Sequence, residues 1–274
     1  MSSVTGTQVS KSPSLTVALS GGGVAGLGHI PVLAALDELE LKPTAIAGTS
    51  MGAIIAACYA SGLSASDIEA HVRSIVSSPI AHTWRYLSSG WHGLLKGSIQ
   101  PEFVIDTVIP DTLPETLADL TVPTTIVATD FHLREPVLFR DENLRKALAA
   151  SIAIPGVFQP LSWNGRVLVD GGVCNNLPMD VLPESDFTLA VDVASEPMSE
   201  ESSVPGTLTA VTSSVRIMLW SMAKLQLQQR DNVILVQPES RLLGPLDLNR
   251  IEEAIELSRP QTELVKSRLE ALFC

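Results

Sequence analysis

A serine hydroxyl is a weak nucleophile until a base takes its proton and something holds the negative charge that develops. Gly48-Thr49-Ser50-Met51-Gly52 offers such a serine in the pattern G-x-S-x-G. At a sharp strand-to-helix turn, a serine has a strained backbone and a side chain pushed into open space. The flanking glycines let the chain turn without clash. The helix that follows aims its first N–H groups and its positive end at the place where negative charge develops. The competing reading is a serine that merely caps a helix. The pentapeptide alone leaves both readings open. Its context favours the first, because an apolar run precedes it and a helical pattern follows.

A second glycine cluster, Gly21-Gly22-Gly23-Val24-Ala25-Gly26, follows the first apolar run and opens a helical pattern. It also satisfies G-x-G-x-x-G, the fingerprint of a dinucleotide-binding turn. That reading needs an acidic residue at the end of the second strand to hold a ribose. The second apolar run instead ends in Gly48 and Thr49, and Asp37 and Glu38 fall near the end of the intervening helix. The dinucleotide reading therefore loses. A tight turn with no ligand remains, as does a set of backbone N–H groups able to approach an oxyanion. Three successive glycines cost backbone entropy, which favours the oxyanion reading. Removing one such donor typically costs about a hundredfold or more in rate.

The base is usually a histidine. The chain has His29, His71, His82, His92 and His132, and none follows Asp170. The order serine, acid, histidine could be met only by His132 or an earlier histidine with an acid before it, and none sits in a strong motif. His29, in the first helix, reads as a packed core residue, and the other four as surface or cap residues. Asp170-Gly171-Gly172 stands out instead. An apolar strand delivers the aspartate at its end, where active-site residues gather in parallel sheets. The two glycines allow a close approach to the serine. A plain turn is the alternative, since Asp-Gly is a frequent turn dipeptide.

The elements that must position these residues are legible in outline. Residues 15–19 and 45–49 read as buried strands, each ending in a glycine-bearing turn. Between them, Leu27, Ile30, Leu33, Leu36 and Leu39 recur at helical spacing over 26–40, with Pro31 tolerated in the first turns. Residues 51–60 read as a helix that stops near Gly62. Further strands are expected at 124–129, 136–139, 167–170, 188–193 and 233–236. Helices are expected at 143–152, 207–229 and 250–272, the last interrupted near Pro260. The weakly periodic stretch 79–114, with two tryptophans and several glycines, reads as an irregular cap. The pattern implies an α/β fold, with a mostly parallel central sheet flanked by helices on both faces. Residues 1–14 are expected to be a disordered tail, and 15–274 a single domain.

The 274 residues suffice for one sizeable α/β core, and no long Gly/Ser or Pro tract divides the interior. A formal net charge of -12 opposes tight binding to nucleic acid or to a strongly anionic membrane. The basic residues are scattered, and Arg140, Arg145 and Lys146 come nearest to a cluster. Cys58, Cys174 and Cys274 are far apart and odd in number, which argues against a disulfide framework or a zinc site and fits a reducing compartment. The polar N-terminus lacks the apolar run of a signal peptide. The expectation is a soluble, cytoplasmic protein.

Together these motifs resemble the patatin-like phospholipase family over about residues 15–272. Ala150-Ser151-Ile152-Ala153-Ile154-Pro155-Gly156-Val157-Phe158 and Asn175-Asn176-Leu177-Pro178 are similar to that family as well. The resemblance implies Ser50 as nucleophile, Asp170 as general base and the N–H groups of Gly22 and Gly23 as oxyanion donors. Gly21, Gly26, Gly48, Gly52, Gly171 and Gly172 would shape the supporting turns. It implies a serine acyl-ester hydrolase acting on lipid-like esters, a phospholipase A, lysophospholipase or esterase. It implies neither a metal nor an organic cofactor. The expected partners are a lipid or acyl-ester substrate and, transiently, a membrane surface, but no nucleic acid. The family usually carries Arg or Lys where Ala25 stands. If that cation acts on charged substrate, this chain should prefer neutral esters. The region of Trp84, Trp91, Leu94 and Leu95 either covers an acyl-chain pocket or packs in the core. Rival classes are a catalytically weak or silent binding protein on the same fold, and a peptidase or thioesterase with the same dyad.

Overall fold

The computed structural model describes residues 13–77, 99–194, 204–238, 247 and 250–273. An eight-stranded sheet carries the fold. Its strands are β1 (Leu15–Leu19), β2 (Ala45–Thr49), β3 (Thr124–Asp130), β4 (Glu135–Phe139), β5 (Leu161–Trp163), β6 (Arg166–Asp170), β7 (Phe187–Val191) and β8 (Val233–Val236). The spatial order is β5-β6-β3-β2-β1-β7-β8, with β4 paired to β3. The pairs from β3 through β2, β1 and β7 to β8 are parallel. The pairs of β3 with β4, β3 with β6, and β5 with β6 are antiparallel.

Alternation along the strands sorts large side chains from small. Leu15, Val17, Leu19, Ile46, Ile126, Leu189 and Val191 belong to one large core. Helices α1 (His29–Glu38), α2 (Met51–Ala60), α3 (Ala65–Val76), α4 (Pro101–Val108), α5 (Leu144–Ser151), α7 (Ile251–Ser258) and α8 (Pro260–Phe273) contribute to it. Ala18, Ala45, Ala47 and Ala190 form a second, flatter cluster. There Leu177, Met179 and Leu182 pack with Ala223 and Leu227 of α6 (Thr207–Leu227). Small residues on that face let α6 and the 177–182 segment lie close to the sheet.

The expected strands and helices appear with shifts of a residue or two. A 3-10 helix (Gly23–Gly28) precedes α1, so the first helix begins tighter than its apolar spacing predicts. The sequence reading missed α3, although Ser64 and Asp67 form a capping box at its start. It also missed α4, which opens with Pro101 at its first position, and the short β5. Most of the expected tail and of the expected cap, with Trp84, Trp91, Leu94 and Leu95, lies outside the described residues. Ser14, read as part of the tail, is anchored: its N–H and hydroxyl both bond Asp186 Oδ2 at 2.7 Å. His29 is fully buried and its Nε2 meets the Ser20 carbonyl at 2.8 Å, which makes it the packed core residue expected. Burial holds it down at about 4. No helix among the described residues is long and apolar enough to cross a membrane.

Gly52 sits where α2 passes the end of β1. A Cβ there would fall on the Leu19 carbonyl oxygen and 2.5 Å from that of Ser20. Gly52→Ala should cost about 1–3 kcal/mol and lower the melting temperature by several degrees. Gly206→Ala meets nothing within 4 Å and should change the folding stability by less than about 1 kcal/mol. Thermal melts of the two variants check the contrast.

Candidate active site

Two strands end at one place because both are ruled by β3. On one edge of β3, Thr49 of parallel β2 pairs with Val127. On the same edge, Asp170 of antiparallel β6 pairs with Ala128, the next residue along β3, while β4 holds the other edge. The last residue of β2 and the last residue of β6 therefore occupy consecutive rungs. Gly171 makes that fit possible: a Cβ there would strike the Val127 carbonyl and come within 3.0 Å of Thr49 Cγ2.

Beyond Thr49 the chain turns sharply. Ser50 has φ 54 and ψ -123, a conformation that side chains rarely adopt. It stands at the N-cap position of α2 but makes no side-chain capping bond. A capping serine would have extended dihedrals and a bonded hydroxyl, so the capping reading does not describe this residue. Gly48 has no room for a side chain either, since a Cβ would lie 2.5 Å from the Gly52 carbonyl. Ser50 is nearly buried, at 5% exposure, and Asp170 at 6%.

The Asp170 carboxyl is held on one side only. Its Oδ1 accepts the Gly172 N–H at 2.7 Å. Its Oδ2 is buried with no hydrogen bond of standard geometry. Burial pushes the acid up to about 6, against the lowering influence of the Ser50 hydroxyl beside it and of the Gly172 N–H. An apo site with a loose serine–acid contact is ordinary, because such bonds tighten when substrate arrives.

The glycine loop closes over the same point. The Gly21 N–H bonds the Asn176 carbonyl at 3.1 Å, and Asn176 Nδ2 returns a bond to the Gly21 carbonyl at 3.3 Å. A Cβ on Gly21 would lie 3.1 Å from Ser50 Cβ, so this loop backs directly onto the serine. Gly22 is extended and Gly23 takes a left-handed φ of 57. A Cβ on Gly22 would meet Val193 Cγ2, and one on Gly26 would meet Met51 Cγ, each at 2.5 Å. Among the described residues no hydrogen bond takes the Gly22 or Gly23 N–H. Ala25 is buried in the large core, so a long cation at that position would have to be buried or push the loop aside.

A family model described as patatin-like phospholipase matches residues 17–183. The chain belongs to this family. An uncharacterized NTE family protein of Mycobacterium tuberculosis is 36% identical over 187 residues, 67% of this chain and 50% of that one. Patatin-like phospholipase domain-containing protein 6 of Mus musculus is 30% identical over 193 residues, 66% of this chain and 14% of that one. The chain thus spans at most about half the length of these relatives. The crystal structure of VipD from Legionella pneumophila shares the fold, with a TM-score of 0.51 at 14% identity, covering 94% of this chain and 67% of that one.

Within this patatin-like site, all ten residues singled out by sequence lie on the three turns around Ser50. Four more residues join those turns, and their roles were not legible. Ser151, at the end of α5, accepts the Ser50 N–H at 2.8 Å and donates to the Val127 carbonyl at 2.6 Å. Thr49 donates to the Asn175 carbonyl at 2.8 Å, and the Asn175 N–H bonds the Gly171 carbonyl at 2.8 Å. Asn175 thereby ties the serine turn to the aspartate turn, and Asn176 ties in the glycine loop. Two asparagines in a loop and a serine at a helix end carry no spacing signal of their own, so only the family-like flanks pointed to them. Of the other histidines, His71 meets the Val108 carbonyl at 3.0 Å, and His132 is exposed at the β3–β4 turn against Phe131. His82 and His92 lie outside the described residues.

Ser151→Ala leaves the Ser50 N–H and the Val127 carbonyl without their partner, at a cost of about 1–3 kcal/mol for each buried group. The strained turn should then lose its fixed geometry. Fluorophosphonate labelling of Ser50 should slow on the order of tenfold, and Ser151→Thr, which keeps the hydroxyl, should recover part of the rate. Labelling of Ser151→Ala at the unaltered rate would show that the turn holds without it.

Proposed function

We propose that this chain hydrolyses carboxylic esters of lipids, with Ser50 as nucleophile and Asp170 as the sole general base. The observation that carries the reading is the pairing of a strained, uncapped serine with a buried carboxyl. Ser50 is held at φ 54, and Asp170 beside it has one oxygen without a hydrogen bond of standard geometry. Membership of the patatin-like phospholipase family supports a lipid as the source of the ester.

Asp170 Oδ2 takes the Ser50 proton as Oγ bonds to the ester carbonyl carbon. The carbonyl electron pair moves onto oxygen, which the N–H groups of Gly22 and Gly23 receive. The start of α2, directly after Ser50, adds its positive end. Collapse of this intermediate expels the alkoxide, which takes the proton from Asp170 and leaves as the alcohol. Water then gives a proton to Asp170 and attacks the acyl-serine. The second collapse releases the acid and returns the proton to Ser50.

A carboxyl raised to about 6 is a stronger base than an ordinary aspartate, yet remains ionised at neutral pH. No metal or organic cofactor enters any step. Free Cys58 and Cys174 accord with a reducing, cytoplasmic setting.

Ser50→Ala should abolish both fluorophosphonate labelling and hydrolysis of short p-nitrophenyl esters, and undiminished hydrolysis in that variant would remove Ser50 from its role.

The pH dependence follows from the base. Asp170 must be ionised to act, so kcat/KM should rise with pH through about 6 and level off above it. An acid limb near the ordinary aspartate value would contradict this. Asp170→Asn should remove nearly all turnover, and its effect on stability has a definite sign. The folded-state acid sits above its unfolded value of 3.8, so the folded state binds the proton more tightly. Ionisation therefore costs stability as pH rises from about 4 to about 6. The full cost is about 3 kcal/mol. Urea denaturation of wild type and Asp170→Asn should show the variant gaining relative stability as pH rises across that window, with the difference constant above it.

A further inference from the structure

Helix α6 is apolar on both sides. Its inner side packs on the alanine face of the sheet through Ala223 and Leu227. Its outer side bears Val211, Val215, Ile217, Met218 and Leu225, each 46–62% exposed. At about 100° per residue these five side chains span an arc of about 160°. A helix-pairing seam would be a narrower stripe, whereas an arc this broad suits a continuous apolar medium.

Two further observations point the same way. The serines inside this arc do not offer their hydroxyls outward. Ser214 donates to the Ala210 carbonyl at 2.7 Å, and Ser221 to the Ile217 carbonyl at 2.8 Å, each one turn back on the same helix. Polar groups satisfied within the helix are what burial in hydrocarbon demands. The charges are also one-sided. From Thr207 to Leu227 the chain has no Asp or Glu, and its charged residues are Arg216 and Lys224, in a protein of net charge -12. Lys224 lies over the Trp220 ring at 5.1 Å. A tryptophan with a snorkelling lysine is the usual edge of an interfacial helix. A second copy of the chain would instead bring up a helix of like charge.

We propose that the outer face of α6 docks on a lipid bilayer bearing anionic headgroups. The five apolar side chains enter the acyl boundary, and exposed Lys224, at the edge of the arc, sits at headgroup level. The helix lies on the membrane and does not cross it. The docked helix is coupled to the site. Gln226 at its end donates to Asn175 Oδ1 at 2.9 Å and to Asp180 Oδ1 at 3.3 Å. Asn175 belongs to the loop that begins at Asp170, and Val173 in that loop is exposed. The protein's overall negative charge opposes the approach at long range. Attraction therefore rests on this local face, and salt that screens the long-range field should strengthen docking. The purpose assigned to docking rests on the hydrolase reading, but its test does not need turnover.

Co-flotation with vesicles of three parts phosphatidylcholine to one part phosphatidylglycerol measures the contact. Wild type and Ser50→Ala should bind alike. The double variant Met218→Glu/Leu225→Glu should lose affinity by at least about tenfold, and Met218→Ser/Leu225→Ser should fall between. Melting temperatures should not drop, because both side chains are exposed. Turnover of a water-soluble short ester should stay at the wild-type level in both double variants. Absence of wild-type binding, or equal binding by wild type and the glutamate variant, overturns the proposal. So does a wild-type dimer that the glutamate variant dissociates while vesicles bind neither protein, which would assign the face to self-association. If vesicles bind as expected but no ester is hydrolysed, the hydrolase reading fails while the docking face stands.

Discussion

The site depends on one edge of one strand. β3 receives β2 as far as Val127 and β6 from Ala128 onward, so the two chain ends that carry Ser50 and Asp170 are set side by side by backbone hydrogen bonding. Ladder registers are quantised: a slip of one residue would turn every side chain of a strand to the other face. The large-and-small alternation across this sheet forbids such a slip, because it would drive Leu15, Val17 and Leu19 into the shallow face lined by Ala18 and Ala47. Core packing far from Ser50 thereby fixes the consecutive rungs on which the strand ends carrying Ser50 and Asp170 stand. Gly171 is the local condition, since any side chain there would hold the two ends apart.

Around that junction the structure accumulates unfavourable terms. Ser50 is strained, the Asp170 carboxyl is buried without a full set of hydrogen bonds, and three glycines in a row are ordered. Each is costly in isolation. They persist because neighbours over-determine the geometry. Ser151 pins the Ser50 N–H to β3, Asn175 links the serine and aspartate turns, and Asn176 fastens the glycine loop. These links are buried hydrogen bonds between backbone and short side chains, which hold position with little entropy to lose.

The second face of the sheet matters for a different reason. Its alanines give α6 a shallow seat, so the helix is held by few side chains and shows much of its surface outward. A helix with one side in protein and the other apolar side exposed among the described residues has unfinished burial. Its polar link to Asn175 and Asp180 joins that face to the same loop network that positions Asp170.

The sequence by itself determined the alternation of strands and helices, the placing of Ser50 between a strand and a helix, and the glycine loop after the first strand. These are local properties: apolar runs, helical spacing and glycines at turns act within a few residues, so they can be read along the chain. It also carried the position of Asp170 at a strand end, though not the reason that end meets the serine. Only the tertiary structure decided that β6 runs antiparallel on β3 and takes up where β2 leaves off, since strand pairing joins residues distant in the chain. The same holds for Ser151, Asn175 and Asn176, whose bonds to Ser50, Thr49 and Gly21 cross between elements. The capping serine and the turn serine are identical as text, and backbone dihedrals with the lack of a capping bond told them apart. The burial of Ala25 was likewise invisible, because a small residue in a glycine run has no periodicity, and only packing shows that it faces the core. Periodicity marked α6 as a helix but not as a half-covered one. Exposure depends on how much of the helix the sheet beneath it can reach, and the shallow alanine face set that limit.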